Sequence, residues 1–193
     1  MPAKIGIIGK GNVGSALQRA LARSGHEVRT AGKDPGAVRQ VAAWADLVVL
    51  AVPFGALDEA LREAGEALNG KVLVDVTNAL TADMQLALGF TTSGAEELQK
   101  KAPRSKVVKA FNTVFAQHMD NGLAKGEQLA LLVAGDDASA KERVIGLGKD
   151  IGFDSIDAGP LRNARWLESL GYLNILLGYV QKLGPDIGFR LVR

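Results

Sequence analysis

Three glycines near the start of the chain have the spacing of a phosphate-binding turn. They are Gly9, Gly11 and Gly14, and they follow the apolar run at residues 5–8. The first glycine permits a tight turn out of a strand, the second lets the backbone approach a pyrophosphate, and the third lets the next helix pack closely on the sheet. Because a helix N-terminus also offers free N–H groups to phosphates, the pattern predicts a dinucleotide-binding turn.

The residues after the second predicted strand bear on the choice between NAD and NADP. NAD sites usually place Asp or Glu there, whereas residues 30–33 of this chain read Thr-Ala-Gly-Lys. Small residues followed by a cation leave room and positive charge for a 2′-phosphate, which favours NADP(H). Lys33 is the best candidate ligand, with Arg29 and Lys10 as helpers. The alternative is that Lys33 is solvated and that Asp34 binds the ribose.

Three segments are expected at the nicotinamide end of the cleft, because each follows a predicted strand at the carboxyl edge of the sheet. Asn78, Asn112 and Thr113 could orient the carboxamide or an acceptor ring, or could simply cap loops. Phe54 and Phe111 are equally compatible with the core and with the site. The three segments are Ala51-Val52-Pro53-Phe54, Thr77-Asn78 and Phe111-Asn112-Thr113.

Groups for acid–base chemistry are scarce. The only histidines are His26, which precedes the second predicted strand and is interpreted as structural, and His118, which is interpreted as a solvated residue of a surface helix. The chain has no cysteine, which excludes thiolate metal sites and disulfides, and no metal site is expected. Hydride exchange between two redox carriers depends mainly on the orientation of two rings, so it suits a site with few acid–base groups.

The elements that must position these residues form an α/β pattern. Short runs rich in Val, Ile and Leu alternate with segments of helical period, which predicts a Rossmann-type, doubly wound, mostly parallel sheet. Residues 78–92 have no clear period and are expected to form a loop over the site. Strands are expected at 4–8, 27–30, 47–52, 72–76, 107–111, 129–134 and 155–157, and helices at 12–24, 57–68, 93–101, 160–183 and after Asp34 and Asp137.

The predicted organisation is a nucleotide-binding domain at 1–159 and a helical tail at 160–193. The tail carries a long helix that is apolar on more than one face, so we expect it to pack on the site or on a partner subunit. A hydrophobic content of 47%, a charged content of 23% and a net charge of +2 are typical of a globular protein without a nucleic-acid role. With no signal peptide or membrane span predicted, a cytoplasmic location is expected.

At several of these positions the chain resembles the NADPH:coenzyme F-420 oxidoreductase family, whose members pass hydride between NADP and a deazaflavin. The same module is similar to the cytosolic domain of certain metalloreductases. The resemblance includes the glycine turn and is most specific in its last two blocks. The matching blocks are residues 9–14, 25–27, 51–53, 110–116, 134–137 and 157–168.

The resemblance implies a role for each part of the cleft. Gly9, Gly11, Asn12 and Val13 would hold the pyrophosphate, and Gly32 with Lys33 the 2′-phosphate. Residues 51–54 would border the ribose and nicotinamide, and the C-terminal helix would form part of the acceptor cavity or a homodimer contact.

The sequence also departs from the family pattern, which has histidine at the position of Asn112 and two arginines at Lys33-Asp34, and residues 77–89 have little in common with the family. Two of these departures, Asn112 and residues 77–89, lie where the acceptor should bind. The acceptor, coenzyme F-420 or a flavin, therefore stays open, as do two further functions. One is an imine or 3-hydroxyacid reductase, and the other is a sensor that binds NADP(H) without turnover.

Overall fold

A seven-stranded sheet organises the molecule. The computed structural model describes residues 2–193. The strands of the sheet are Lys4–Ile8 (β1), Glu27–Ala31 (β2), Leu47–Leu50 (β3), Val72–Asp75 (β4), Lys106–Lys109 (β5), Ala130–Gly135 (β8) and Asp154–Asp157 (β9), and a small hairpin of Leu123–Ala124 (β6) and Glu127–Gln128 (β7) lies outside it. The sheet order is β2-β1-β3-β4-β5-β8-β9, which confirms the predicted Rossmann-type α/β fold. Among the described residues, only the β5–β8 pair of this sheet is antiparallel.

Helices cover both faces of the sheet, and side chains at their N-termini set where three of them begin. The Asp34 carboxylate accepts from the Gly36 N–H at the start of the helix Pro35–Trp44, and Ser93 and Asp137 cap the helices Gly94–Lys101 and Ala138–Ile151 in the same way. These three starts agree with the capping patterns in the sequence. The helices are Asn12–Arg23 (α1), Pro35–Trp44 (α2), Leu57–Ala64 (α3), Gly94–Lys101 (α4), Ala138–Ile151 (α5) and Ala164–Ile175 (α6).

The core lies in two layers because successive side chains of a strand point to opposite faces. In β3, Val49 belongs to the cluster under α1 and α5, whereas Val48 and Leu50 belong to the cluster under α2, α3 and α4. From β1 the chain goes first to β2 on one side and then to β3 on the other. The reversal opens a crevice at the carboxyl ends of β1 and β3, which is where such sheets bind ligands.

The long C-terminal helix is present, but its limits differ from the predicted 160–183. A 3₁₀ turn at Leu161–Asn163 precedes α6, and α6 continues as a π-helical turn at Leu176–Val180. The helix ends there because Lys182 adopts a left-handed φ of 58°. The Leu183 and Gly184 N–H groups then donate to the carbonyls of Leu177 and Gly178. Among the described residues, no helix is both long and apolar enough to cross a membrane.

Of the predictions for the two histidines, the one for His26 is confirmed and the one for His118 is not. His26 is structural as expected, since its Nδ1 lies 3.3 Å from the Ala3 amide nitrogen and its Nε2 lies 3.2 Å from the Asp150 carboxylate. The interpretation of His118 as solvated was wrong. It is 4% exposed, and its Nε2 lies 3.0 Å from the Pro185 carbonyl. The tail after α6 covers it, a contact across 67 residues that local sequence could not reveal.

Candidate functional site

The glycine turn lies in the crevice between β1 and β3. At two of its three glycines the surrounding backbone leaves no room for a side chain. Gly9 has a φ of +117°, and a Cβ there would lie 2.1 Å from the Ala51 carbonyl oxygen. A Cβ on Gly14 would lie 2.1 Å from the Gly9 carbonyl oxygen. A Cβ on Gly11 would contact nothing within 4 Å, so this position faces open space. Gly11 is therefore where an external group can approach the backbone.

The N-terminus of α1 is free to meet an anion. Gly11 is its N-cap and supplies no side-chain hydrogen bond, and the first turn contains no acidic residue. The first N–H groups of a helix lack intrahelical partners, and the helix dipole places positive charge at this end. The turn and the helix start thus fit a pyrophosphate.

A cavity of about 510 Å³ adjoins this turn, a size suited to a small ligand. It brings together eight of the predicted cofactor residues, whereas Asn12, Val13, Phe54 and Asn78 do not line it. Val13 packs on one core layer and Phe54 on the other. The eight are Gly9, Lys10, Gly11, Gly32, Lys33, Ala51, Val52 and Pro53; the lining residues that the sequence did not suggest are Ile8, Val38, Ala56, Glu59, Ala60 and Glu63.

Two exposed lysines lie on the rim beyond β2. The Lys10 side chain passes over Gly32, with its Cδ 3.6 Å from where a Gly32 Cβ would lie, and Lys33 follows directly. Neither Lys10 nor Lys33 forms an ion pair with any residue in the described part of the chain. Two unpaired cations beside an uncapped helix start create a local field suited to phosphate groups.

The structure also shows where Asp34 and Arg29 lie, the two other candidate ligands for the adenosine ribose and its phosphate. Asp34 Oδ1 lies 3.0 Å from the Gly36 amide nitrogen, so this carboxylate caps α2. The Arg29 guanidinium stacks over Trp44, 4.3 Å from the ring centroid, and does not line the cavity. The structure therefore does not place Arg29 beside Lys33 in the cavity lining, and its role as a helper at the phosphate stays a prediction.

Asn78, Asn112 and Thr113 come together beneath α6. The Asn112 Nδ2 donates to the Asn78 Oδ1 at 3.0 Å and to the Leu167 carbonyl at 2.8 Å, and the Asn78 Nδ2 donates to the Asn112 carbonyl at 3.0 Å. The Thr113 carbonyl accepts from the Asn174 side chain at 3.1 Å. The three residues thus join the ends of β4 and β5 to α6.

Two buried oxygens in this region lack hydrogen-bond partners. They are the Asn112 Oδ1 and the Thr77 Oγ1, each in a residue that is 5% exposed. The preceding residue, Phe111, adopts a left-handed φ of 64°, which is unusual for a bulky side chain. Its ring lies in the core, edge-on to Phe153 at 6.0 Å. The two unpartnered oxygens and the strained residue thus lie together at the edge reached by β4 and β5.

A buried ionic triad supports this edge. The Lys109 ammonium is fully buried, 2.9 Å from both the Asp75 and the Glu168 carboxylates, and it donates to the Thr77 carbonyl at 2.6 Å. Burial acts to lower the pKa of Lys109, but the charges and hydrogen bonds of Asp75 and Glu168 outweigh it and raise that pKa. The Glu168 carboxylate also accepts from the Gly94 N–H at 2.9 Å, at the start of α4. The triad therefore holds β4, β5, α4 and α6 together.

A second cavity, of about 330 Å³, lies beside α1. Asn12 lines this cavity and not the first one. Two aromatic rings in its wall, Phe115 and Tyr179, meet edge to face with centroids 5.5 Å apart. Arg19 adds a cation to the rim, bonded to Asp120 at 3.0 Å. The cavity offers planar apolar surface beside polar groups.

The fold and the cleft together define a dinucleotide-binding protein of the Rossmann class. The model of the family of coenzyme F-420-dependent NADP oxidoreductases matches residues 4–43 and 34–79. A protein from Arthrobacter sp. FB24, designated an F-420-dependent NADP-reductase, is 34% identical. Its crystal structure superimposes with a TM-score of 0.91, covering 99% of this chain and 100% of that one.

Two further relatives are longer than this chain. The F-420-dependent NADP reductase of Methanocaldococcus jannaschii is 32% identical over 71% of this chain and 64% of its own length. Metalloreductase STEAP3 of Rattus norvegicus is 31% identical over 86% of this chain but only 36% of its own length. This chain thus spans about a third of the metalloreductase. The chain belongs to the family of coenzyme F-420-dependent NADP oxidoreductases, which confirms the resemblance seen in the sequence.

Proposed function

We propose that this protein is an NADP-dependent oxidoreductase that transfers hydride between NADP(H) and a small redox acceptor, with coenzyme F-420 as the first candidate and a flavin as the second. The observation that carries the proposal is the pair of unpaired lysines, Lys10 and Lys33, at the rim of the glycine-turn cavity. A 2′-phosphate needs such cations, whereas the ribose hydroxyl of NAD would need a free carboxylate. Asp34, the acidic residue that directly follows Lys33, caps a helix instead.

Each segment of the cleft would then hold a different part of the dinucleotide. Gly9, Gly11, Asn12 and Val13 would bind the pyrophosphate through backbone N–H groups, and Gly32 with Lys33 and Lys10 would bind the 2′-phosphate. Residues 51–54 would border the ribose and nicotinamide. When bound, NADPH would supply the hydride and its two electrons.

The chain's own contribution would be orientation and exclusion of water. Asn78, Asn112 and Thr113 would orient the rings by holding α6 over them, since their hydrogen bonds join the ends of β4 and β5 to that helix. The second cavity, with Phe115 and Tyr179, would receive the planar acceptor. Because hydride passes between two rings, the protein needs no dedicated proton-transfer residue, and the acceptor would take its proton from solvent.

The proposal includes an organisation for the chain. Residues 1–159 would form the NADP-binding domain, and residues 160–193 would close the acceptor cavity and pair with a second copy in a homodimer. A cytoplasmic location goes with this function, since reduced nicotinamide cofactors are supplied inside the cell. The homodimer is supported by an apolar stripe of exposed side chains that runs along α6 and includes Trp166 and Leu173.

The test is to mix the purified protein with NADPH and oxidised coenzyme F-420 and to follow the visible absorbance of the deazaflavin. FMN, FAD and ferric chelates run in parallel. Rapid loss of deazaflavin absorbance alone would support coenzyme F-420 as the acceptor, and reduction of a flavin alone would support the second candidate. If NADPH binds and no acceptor is reduced, the oxidoreductase proposal is overturned in favour of a non-catalytic NADP(H) sensor.

A further inference from the structure

One wall of the glycine-turn cavity carries two carboxylates that the proposed function does not yet use. Glu59 and Glu63 lie one helical turn apart on α3, and both line the cavity. Within residues 2–193 neither forms an ion pair, whereas the neighbouring Asp58 and Glu66 each pair with a cation. Two carboxylates without partners therefore face a cavity whose other charged residues are lysines.

Their position corresponds to the adenine end of the cleft. The pyrophosphate belongs at the glycine turn and the 2′-phosphate at Lys33, so the base must continue past Lys33, away from the strand ends that border the nicotinamide. Besides the residues assigned to the phosphates and to the nicotinamide end, the cavity lining includes Val38 and Ala60, which are almost fully buried in the core, together with the two glutamates. Apolar side chains suit the faces of a purine, and polar groups suit its edge.

We infer that Glu59 and Glu63 select adenine by accepting hydrogen bonds from its 6-amino group, an inference that rests on the proposed function. The amino group is a donor, and a carboxylate is an acceptor only. Hypoxanthine and guanine carry a carbonyl oxygen at this position, which presents lone pairs to carboxylates held at the 6-position, and their N1–H donor lies at the neighbouring ring position instead. The carboxylates lie in the same cavity as Lys33, so they weaken phosphate binding somewhat and add selectivity for the base.

The experiment compares the binding of NADPH and deamino-NADPH, in which hypoxanthine replaces adenine and every phosphate is retained. Dissociation constants are measured by calorimetry for the wild-type protein and for E59A, E63A and the double variant E59A/E63A. Alanine suits the helix, so α3 should be preserved. The wild-type protein should prefer NADPH by about tenfold, the worth of a hydrogen bond to a charged group. In the double variant the two constants should become nearly equal.

The ratio of the two constants separates this inference from simple charge effects. A pure charge effect of removing a carboxylate would strengthen the binding of both dinucleotides equally, because their phosphates are identical, and would leave the ratio unchanged. The matched control D58A/E66A removes two carboxylates of the same helical region that do not line the cavity, and it should keep the wild-type ratio. An E59A/E63A ratio equal to the wild-type ratio would overturn the inference and leave the NADPH site standing. A wild-type protein that binds neither dinucleotide would overturn the proposed function and this inference together.

Discussion

At the scale of single residues, Lys33 carries the proposed preference for NADPH over NADH. It lies at the cavity rim without an ion-pair partner in the described part of the chain, so its charge is available to a ligand. We expect Lys33→Ala to weaken NADPH binding by about tenfold or more, the effect of losing a hydrogen bond between charged groups. NADH lacks the phosphate, so its affinity should change little. Titration of both cofactors by calorimetry measures the two effects.

The matched control is Lys149→Ala, an exposed lysine near the end of α5 and away from the cleft. It removes the same charge from the molecule but should leave both affinities unchanged. If Lys33→Ala weakened NADH as much as NADPH, the assignment of Lys33 to the 2′-phosphate would be wrong.

Phe111 shows at the same scale how backbone strain can position a polar side chain. Its left-handed conformation ends β5 at Lys109, two residues earlier than the predicted end of the strand, and turns Asn112 under α6. The aromatic ring remains in the core, 3% exposed. The cost of such a conformation is on the order of 1–3 kcal/mol, which the packing and the hydrogen bonds of Asn112 must offset.

At the scale of elements, the triad of Lys109, Asp75 and Glu168 holds four of them in place. Lys109→Met would leave two carboxylates buried without their cation, so we expect the free energy of unfolding to fall by about 3–5 kcal/mol. Urea denaturation followed by circular dichroism measures this loss.

A suitable comparison is Lys106→Met on the same strand. The Lys106 side chain is 44% exposed and pairs with Asp137 near the surface, so its loss should cost less than about 1 kcal/mol. Similar decreases in the free energy of unfolding of the two variants would contradict the idea that the buried triad stabilises the packing of α4 and α6 on the sheet.

Local patterns in the sequence were sufficient for most elements. The glycine turn, the caps at Asp34, Ser93 and Asp137 and the apolar runs of the strands each depend on neighbours within a few residues, and they appear in the structure as predicted. The carboxyl ends of β1, β2 and β3 could therefore be placed around one crevice before the structure was known.

Features that depend on distant contacts could not be predicted in this way. The Lys109 partners lie 34 residues before it and 59 residues after it, so its burial in an apolar strand had no local signal. The glutamates of the cleft wall were missed because helical periodicity identifies the core face of α3 and not the rim of a cavity. The last helix ends where Lys182 adopts a left-handed conformation, and lysine is not a residue type that predicts this conformation.

At the scale of the whole molecule, α6 and the π-helical turn that continues it carry an apolar stripe that the residues described by the structure leave largely exposed. Trp166, Leu173 and Val180 are 60%, 47% and 61% exposed, and the half-buried Leu170 and Leu177 lie between them. The alternating spacing of four and three residues is that of the seam of a helix pair. Phe90 of the 78–92 loop stacks on Trp166 at 6.2 Å and extends the patch. Large exposed apolar patches of this kind usually mark an interface.

The proposed homodimer would bury this stripe against the same stripe of a second copy. Leu173→Glu places a charge at the centre of the stripe and should convert the dimer to a monomer, which light scattering coupled to gel filtration would detect as a halved mass. Leu123→Glu, at an exposed position of the β6–β7 hairpin, is the matched control and should leave the dimer intact. A wild-type protein that stays monomeric at micromolar concentration would contradict the homodimer. A dimer that survives Leu173→Glu would move the interface to another surface. If the interface is as proposed, acceptor turnover should fall together with the dimer, because α6 also packs on Asn112 at the strand ends where the rings would meet.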